Sequence, residues 1–378
     1  MLLHACRARW CARLLSLVVC CAGLLLSQAS AQYSASFLDS NVPIAAHQDL
    51  NLVDGWGLTA FPSSPFWVSN QNTSTSTLFT GDGTIVPLVV QIPCVSKGAP
   101  TVPCPVPGVF PLVPPFGPTG AVANLYAGAE AFRLEQKGVN VPALFIFDTL
   151  DGLIVGWNPT LNLTQALVAT RDRIGSAIYT GLAIWGPAND PHLYAANSID
   201  GIDVFDRRFR LVNTFHADSN PGPYTPYGIQ TIGNTLYVTY ANPSVQGGIV
   251  DACDLTTSNT MPMCRRLAAA TESPFWINAP WGLALAPSNF GPLSGSLLVG
   301  NLGSGQIVAL NPATGQFKAW LRLKNGDRFT VSGLWALEFG GGAAVNGNTN
   351  QLFFTAGPAG KNNVIFSTGL FGVINPPK

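Results

Sequence analysis

The chain has 378 residues, of which only 10% are charged, and its 19 basic residues balance 19 acidic residues. This charged fraction lies well below the roughly 25% of an average soluble domain, and the 39 glycines and 30 prolines indicate a turn-rich, apolar chain. The composition provides no basic field that would attract nucleic acid or an anionic membrane.

The first 31 residues have the layout of a secretory signal peptide. A basic stretch ending at Arg13 precedes an apolar run from Leu14 to Leu26, and Ala29-Ser30-Ala31 is a small-residue cleavage site. The run is shorter than the roughly 20 residues that cross a bilayer, and no later run approaches that length. We therefore expect residues 1–31 to be removed, leaving a secreted or periplasmic domain over residues 32–378 with 16 basic and 19 acidic residues.

Four cysteines follow the signal peptide in two local pairs, Cys94 with Cys104 and Cys253 with Cys264. Because an exported protein meets an oxidising compartment, this spacing predicts the disulfides 94–104 and 253–264. Two other connectivities remain open, and so does a zinc site, although C-x-x-C spacing is absent.

Beyond residue 32 the chain consists of short apolar runs separated by Gly, Pro, Asn and Asp. These runs are rich in Val, Ile, Leu, Phe, Tyr and Thr, which is typical of β-strands. Ala129 to Gln136 is the only stretch that has the pattern of a short helix. The sequence therefore predicts an all-β fold.

A three-residue phrase, here called the opening phrase, recurs six times at intervals of 47 to 63 residues. One four-stranded propeller blade occupies about 40 to 50 residues, so the intervals predict a six-bladed β-propeller with four-stranded blades, the first two enlarged. A pair of β-sandwiches is the alternative, but it does not predict six matching phrases. The copies are Trp56-Gly57-Leu58, Thr119-Gly120-Ala121, Thr180-Gly181-Leu182, Tyr227-Gly228-Ile229, Trp281-Gly282-Leu283 and Trp335-Ala336-Leu337.

The small central residue of the opening phrase has a physical reason in this fold. Innermost strands crowd around the propeller axis, and glycine lets their backbones approach closely. The ring is expected to close through the chain ends, since an open ring would expose a sheet edge. Residues 33–38 are the N-terminal candidate for closure, and residues 364–367 and 370–374 are the C-terminal candidates.

Several longer phrases resemble an uncharacterised family of exported, mostly bacterial β-propeller proteins, distantly similar to NHL-repeat propellers. The phrases are Ala45-Ala46-His47-Gln48-Asp49, Asn51-Leu52-Val53, the run from Ala279 to Pro287, Leu298-Val299-Gly300-Asn301 and Phe354-Thr355-Ala356-Gly357-Pro358.

The resemblance implies the fold and an extracytoplasmic location. The family has no established activity. This chain departs from the family at Asp54-Gly55, where an Asn-Pro is usual, and at Ala336, which replaces a glycine. Some members end in a PEP-CTERM-type sorting tail; this chain ends at Lys378 without one, and surface attachment is not expected.

Motifs of common enzymes are missing from the sequence. It contains no G-x-S-x-G, no phosphate-binding G-x-x-x-x-G-K-[ST], no H-E-x-x-H and no EF-hand spacing. Two H-x-D fragments, His47 with Asp49 and His216 with Asp218, could each orient an imidazole as a base or metal ligand. The alternative is that they are ordinary polar loop residues, and His192, which follows a proline, is expected to be structural.

Polar residues follow the second strand of several blades. Aligning the blades places these residues at one position, on the face where the first strand begins. Their oxygens could bind a divalent ion such as calcium at the axis, or the residues could simply form turns, which Asn and Asp favour. The candidate ligands are Asn70, Asp148, Asn197 and Asn301, with Tyr240 and Ala356 at the same position in the remaining blades.

Two functions are compatible with these patterns. The first is a monomeric binding or scaffold module whose ring face holds a protein, a glycan or a small molecule. The second is a metal-assisted hydrolase or lactonase with its site at the central axis. Since a fold does not define a function, the sequence leaves open whether the protein is an enzyme.

Overall fold

The structure is a computed structural model that describes residues 32–96, 99–101, 117–360 and 366–377. The predicted signal peptide and Cys104 lie outside the described residues. Within them, no helix is long and apolar enough to cross a membrane.

Short strands form eight sheets among the described residues, of which six correspond to the blades and two are separate two-stranded hairpins. The N-terminal strands are β1 (Ser34–Ser40) and β2 (His47–Gln48). Blade one contains β3 (Gly55–Thr59), β4 (Phe66–Asn70), β5 (Thr75–Phe79) and β6 (Ile85–Gln91), and a hairpin of β7 (Cys94–Ser96) and β8 (Ala99–Thr101) follows it. Blade two begins with β9 (Pro118–Ala123). A separate hairpin of β10 (Arg133–Gln136) and β11 (Val139–Pro142) follows it, and the chain then completes blade two with β12 (Phe145–Thr149), β13 (Ile154–Trp157) and β14 (Leu167–Thr170).

The remaining blades follow the same plan. Blade three contains β15 (Tyr179–Trp185), β16 (His192–Asn197), β17 (Gly201–Phe205) and β18 (Leu211–Phe215). Blade four contains β19 (Thr225–Ile232), β20 (Thr235–Asn242), β21 (Val245–Asp254) and β22 (Met263–Ala270). Blade five contains β23 (Pro280–Leu285), β24 (Leu297–Asn301), β25 (Ile307–Leu310) and β26 (Phe317–Trp320), and blade six contains β27 (Leu334–Phe339), β28 (Leu352–Ala356) and β29 (Leu370–Asn375) with β1. Single 3-10 turns lie at Gln71–Thr73, Ala127–Ala129 and Gly291–Leu293.

The predicted six-bladed propeller is confirmed, because every opening phrase lies on the innermost strand of its own blade. The helix-like stretch over residues 129–136 does not form an α-helix. Its second half is strand β10, whose four residues pair with β11, and this pairing partner is not visible in the local pattern.

The ring closes through the two chain ends. Strand β1 pairs antiparallel with β29, from Ser34 opposite Asn375 to Ser40 opposite Leu370. The Tyr33 hydroxyl donates to the Phe290 carbonyl at 2.8 Å, which also ties the N-terminal strand to blade five. Closure through residues 33–38 and 370–374 is confirmed; in the other candidate, residues 364 and 365 lie outside the described residues and Phe366 is in a turn.

The innermost strands are as crowded as the opening phrases predict. A Cβ atom at Gly57, Gly120, Gly228 or Gly282 would lie within 3.0 Å of backbone atoms of the next blade. At Gly181 the nearest atom would be 3.2 Å away, and blade six already carries Ala336. At this level the axis encloses a cavity of only ≈ 20 Å³, about the space of one water molecule.

A β-bulge lies at the opening phrase in all six blades. In blade one, Gly55 pairs with Asn70 whereas Leu58 pairs with Val68, so the innermost strand holds one extra residue. The other five blades show the same shift. Bulges bend a strand and re-aim its side chains, and here they divide each innermost strand into a start and an end. We call the side of the ring where these strands begin the first face, and the side where they end the second face.

One predicted disulfide is present among the described residues. Cys253 on β21 faces Cys264 on β22, with an S–S distance of 2.02 Å and a Cα–Cα distance of 3.9 Å. Cys94 is buried in β7, and its predicted partner Cys104 lies outside the described part of the chain.

Candidate functional site

The first residues of the opening phrases meet at the axis on the first face. Trp56, Tyr227, Trp281 and Trp335 come from blades one, four, five and six, and we call them the axial aromatic cluster. Trp56 stacks on Trp335 with ring centroids 3.7 Å apart. The rings of Tyr227 and Trp281 each lie 5.8 Å from the Trp335 ring. The cluster therefore fills the first-face end of the axis.

Blades two and three contribute threonines instead of aromatic residues at this position. The Trp281 Nε1–H reaches across the axis and donates to the Thr180 carbonyl at 2.8 Å. Thr119 donates its hydroxyl to the Tyr179 carbonyl of the next blade at 2.9 Å. The small side chains thus leave room for the rings, and these hydrogen bonds tie blade three to blades two and five.

A buried carboxyl group supports the axial aromatic cluster. Asp54 accepts hydrogen bonds from the indole N–H groups of Trp56 at 2.8 Å and Trp335 at 2.9 Å. Burial raises the pKa of Asp54 to about 7, against the effect of these two hydrogen bonds. Asp54 has a φ of +52°, a conformation that Asp tolerates better than most residues. The sequence marked Asp54 only as a departure from a family phrase, and its structural role was missed.

A pocket of ≈ 450 Å³ opens on the first face beside this cluster. Tyr227 and Phe366 line it, and the Phe366 ring lies 5.6 Å from that of Trp335. Asn242 at the end of β20, together with Asn278 and Ser332 from the loops before β23 and β27, supplies amide and hydroxyl groups. None of the lining side chains that the structure describes is charged. Its volume falls in the usual range of small-molecule sites, about 300 to 1,000 Å³.

Three of the four predicted ion ligands occupy equivalent positions. Asn70, Asn197 and Asn301 each lie opposite the residue before the opening phrase. The alignment that added Asp148 was wrong by one residue, because Thr149 takes this position opposite Pro118. Successive strand residues point to opposite sides of a sheet, so Asp148 does not share the orientation of the asparagines.

The asparagines hold loops of their own blades. The side-chain oxygen of Asn197 accepts from the N–H groups of Ile178 and Ile199 at 3.3 and 3.1 Å. That of Asn301 accepts from the Asn278 N–H at 2.8 Å. Asn70 instead uses its amide N–H groups, which donate to two threonines of β5, while its oxygen has no hydrogen-bond partner among the described residues.

Asp148 caps the bulge of blade two. One carboxylate oxygen lies 2.7 Å from the Thr119 hydroxyl oxygen and accepts from the Gly120 N–H at 2.6 Å. Thr239 and Thr355 bind the corresponding N–H groups in blades four and six. Burial raises the pKa of Asp148 to about 7. The ion site stays a prediction; within the described part of the chain, no three His, Cys, Asp or Glu side chains form a group that could hold a metal ion.

The histidines do not pair with the carboxylates proposed from the H-x-D spacing. The carboxylate nearest His47 is that of buried Asp39, 3.8 Å from Nδ1. Asp218 accepts from the Arg266 guanidinium instead of orienting exposed His216. His192 is buried, with Nδ1 3.1 Å from the Asp190 carbonyl, as expected for a structural residue.

The proteins with a similar amino-acid sequence are uncharacterised. No protein-family model matches it. Three uncharacterised proteins of Acanthamoeba polyphaga mimivirus are 33%, 28% and 26% identical over 47%, 74% and 82% of this chain. These matches cover 34%, 72% and 73% of the relatives, so the chain spans about a third of the length of the first.

Solved structures similar to this chain include two described as glucose dehydrogenase. Their TM-scores are both 0.50, with 14% and 12% sequence identity, and each comparison covers 90% of this chain and 98% of the other. At such identities the likeness concerns the fold alone. The chain is therefore a β-propeller with uncharacterised viral homologues.

Proposed function

We propose that this protein is a binding module that holds an uncharged polar ligand, such as a sugar residue, in the pocket on the first face. One observation carries the proposal: the pocket combines aromatic surface with amide and hydroxyl groups, and none of the described side chains that line it is charged. A ligand with an apolar side and several hydroxyl groups matches both features. A charged ligand would lose its hydration without gaining a counter-ion.

Individual side chains support this assignment. Tyr227 and Phe366 are half-buried and offer ring surface to the pocket. Asn278 uses its side-chain oxygen to accept from the Gly247 N–H at 3.1 Å, while its amide N–H₂ donates to no other described residue. That group can therefore donate to a ligand hydroxyl. Asn242 is anchored by its own hydrogen bond to the Pro223 carbonyl at 2.7 Å, so this wall of the pocket is fixed before binding.

A bulky side chain placed in the pocket should weaken sugar binding without unfolding the ring. Ser332 is exposed at the pocket, and we expect Ser332→Trp to weaken binding at least about tenfold because the indole occupies the ligand's volume. Saturation-transfer NMR with a panel of neutral mono- and disaccharides measures this. Ser219→Trp, an exposed site on another first-face loop, is the matched control. Equal binding by both variants, or no transfer to any neutral sugar, contradicts the proposal.

We also propose that the protein works outside the cytoplasm as a monomer. The basic stretch, apolar run and Ala29-Ser30-Ala31 of the first 31 residues support export. Amino-terminal sequencing of protein collected from the extracytoplasmic fraction should begin at Gln32, and light scattering should give the mass of one mature chain. Retention of residues 1–31, or a stable dimer, would count against this part of the proposal.

A further inference from the structure

A second cavity, of ≈ 190 Å³, lies on the second face at the opposite end of the axis. The ends of the innermost strands of blades one, two, three, four and six line it, and we call it the second-face funnel. The inner end of the funnel lies at the glycine residues of the opening phrases, where the axis leaves a space of only ≈ 20 Å³. One lining residue from each of these blades is Thr59, Val122, Ile184, Thr231 and Glu338.

Among the described residues, Glu338 is the only ionisable side chain that lines this funnel. It lies on β27, and its Oε1 accepts from the Ala60 N–H at 3.2 Å. It is absent from the ion pairs among the described residues. Burial is the largest influence on this carboxyl and raises its pKa to about 8. The funnel thus contains an acidic group for which the described part of the chain provides no balancing cation.

The other polar side chains of the funnel are Thr59, Thr231 and exposed Gln230, and the two threonines are already engaged with the protein. Thr59 accepts from the Ala123 N–H at 3.1 Å, and Thr231 donates to the Ile184 carbonyl at 2.9 Å. Aliphatic side chains such as Leu58, Val122 and Ile184 form much of the remaining wall. A complementary ligand therefore carries one positive charge on a short apolar chain.

We propose that the second-face funnel binds a primary alkylammonium group, from a free amine or a lysine side chain, with Glu338 as its counter-ion. The ammonium group compensates the carboxylate, and the alkyl chain contacts the aliphatic wall. The volume corresponds to about six water molecules at roughly 30 Å³ each, which suits a side-chain-sized group. This site is independent of the sugar pocket, because the closed axis separates the two faces.

Titration with n-butylammonium chloride tests the proposal. Because the amine binds only ionised Glu338, the affinity should fall about tenfold between pH 9 and pH 7, as the ionised fraction of a group with a pKa near 8 drops from about nine-tenths to about one-tenth. Glu338→Gln should lose at least about tenfold in affinity at pH 9, whereas exposed Glu272→Gln should match the parent. n-Butanol has the same shape without the charge and should bind weakly to all three proteins.

Further measurements separate loss of the site from loss of the fold. Glu338→Gln keeps an acceptor for the Ala60 N–H, so its melting temperature should remain close to that of the parent. Nα-acetyl-lysine methylamide distinguishes the two sources: binding indicates a lysine of a protein partner, and binding of butylammonium alone indicates a free amine. Butylammonium binding that is unchanged by Glu338→Gln, or absent from the parent at pH 9, overturns the proposal.

Discussion

Gly120→Ala is expected to destabilise the mature protein by about 3 kcal/mol, a large part of the roughly 5 to 15 kcal/mol that stabilises a typical domain. A Cβ at this position would meet backbone atoms of Gly181 and Leu182 in the next blade. Backbone atoms cannot rotate away as a side chain can, so blades two and three would have to separate. Chemical denaturation of the mature chain measures the difference.

Gly181→Ala is the matched control for this prediction. Its Cβ would lie 3.2 Å from the Tyr227 carbonyl oxygen and 3.3 Å from the Ile229 nitrogen, contacts that a shift of a few tenths of an ångström relieves. We expect it to change the free energy of unfolding by less than about 1 kcal/mol. Equal losses in the two variants would show that crowding at the axis does not decide the need for glycine.

Removal of residues 369–378 is expected to abolish cooperative folding. The deletion takes away β29, in which Leu370, Phe371, Val373 and Ile374 are buried. At about 1.5 to 3 kcal/mol for each side chain, the loss amounts to about 6 to 12 kcal/mol, comparable to the whole stability of a domain. It also leaves β1 and β28 as unpaired sheet edges, which promote aggregation.

A shorter deletion of residues 376–378 controls for the loss of the chain terminus. It keeps every pair of β29 with β1 and β28, and we expect a cooperative thermal transition within a few degrees of that of the full mature chain. An identical melting temperature for the longer deletion would contradict closure of the ring through the C-terminal strand.

The repeat could be predicted because its cause is local and recurs. Each innermost strand must approach its neighbours closely, so a small residue such as Gly57 or Gly282 appears at one position in every blade. Large rings such as Trp56 precede these residues because they fill the axis above them. The blade number and the identity of the innermost strands follow from this constraint alone.

The bulges and the sites could not be predicted in the same way. The sequence of one strand does not show whether the strand paired with it carries an extra residue. For this reason the sequence alignment of the blades grouped Asp148 with asparagines whose position it does not share. Asp54 joins Trp56 with Trp335, 279 residues further along the chain, and Ala60 donates to Glu338. Such contacts depend on how blades one and six meet when the ring closes, and no local spacing in the sequence encodes them.

A crystal structure of the mature protein, soaked with the neutral sugar that gives the strongest saturation transfer, tests the proposed binding function most directly. The account predicts electron density in the first-face pocket, with the sugar ring against Tyr227 or Phe366 and a hydroxyl group within hydrogen-bond distance of the Asn278 amide. Sugar density at another surface, or a first-face pocket without sugar density at a saturating sugar concentration, would contradict it.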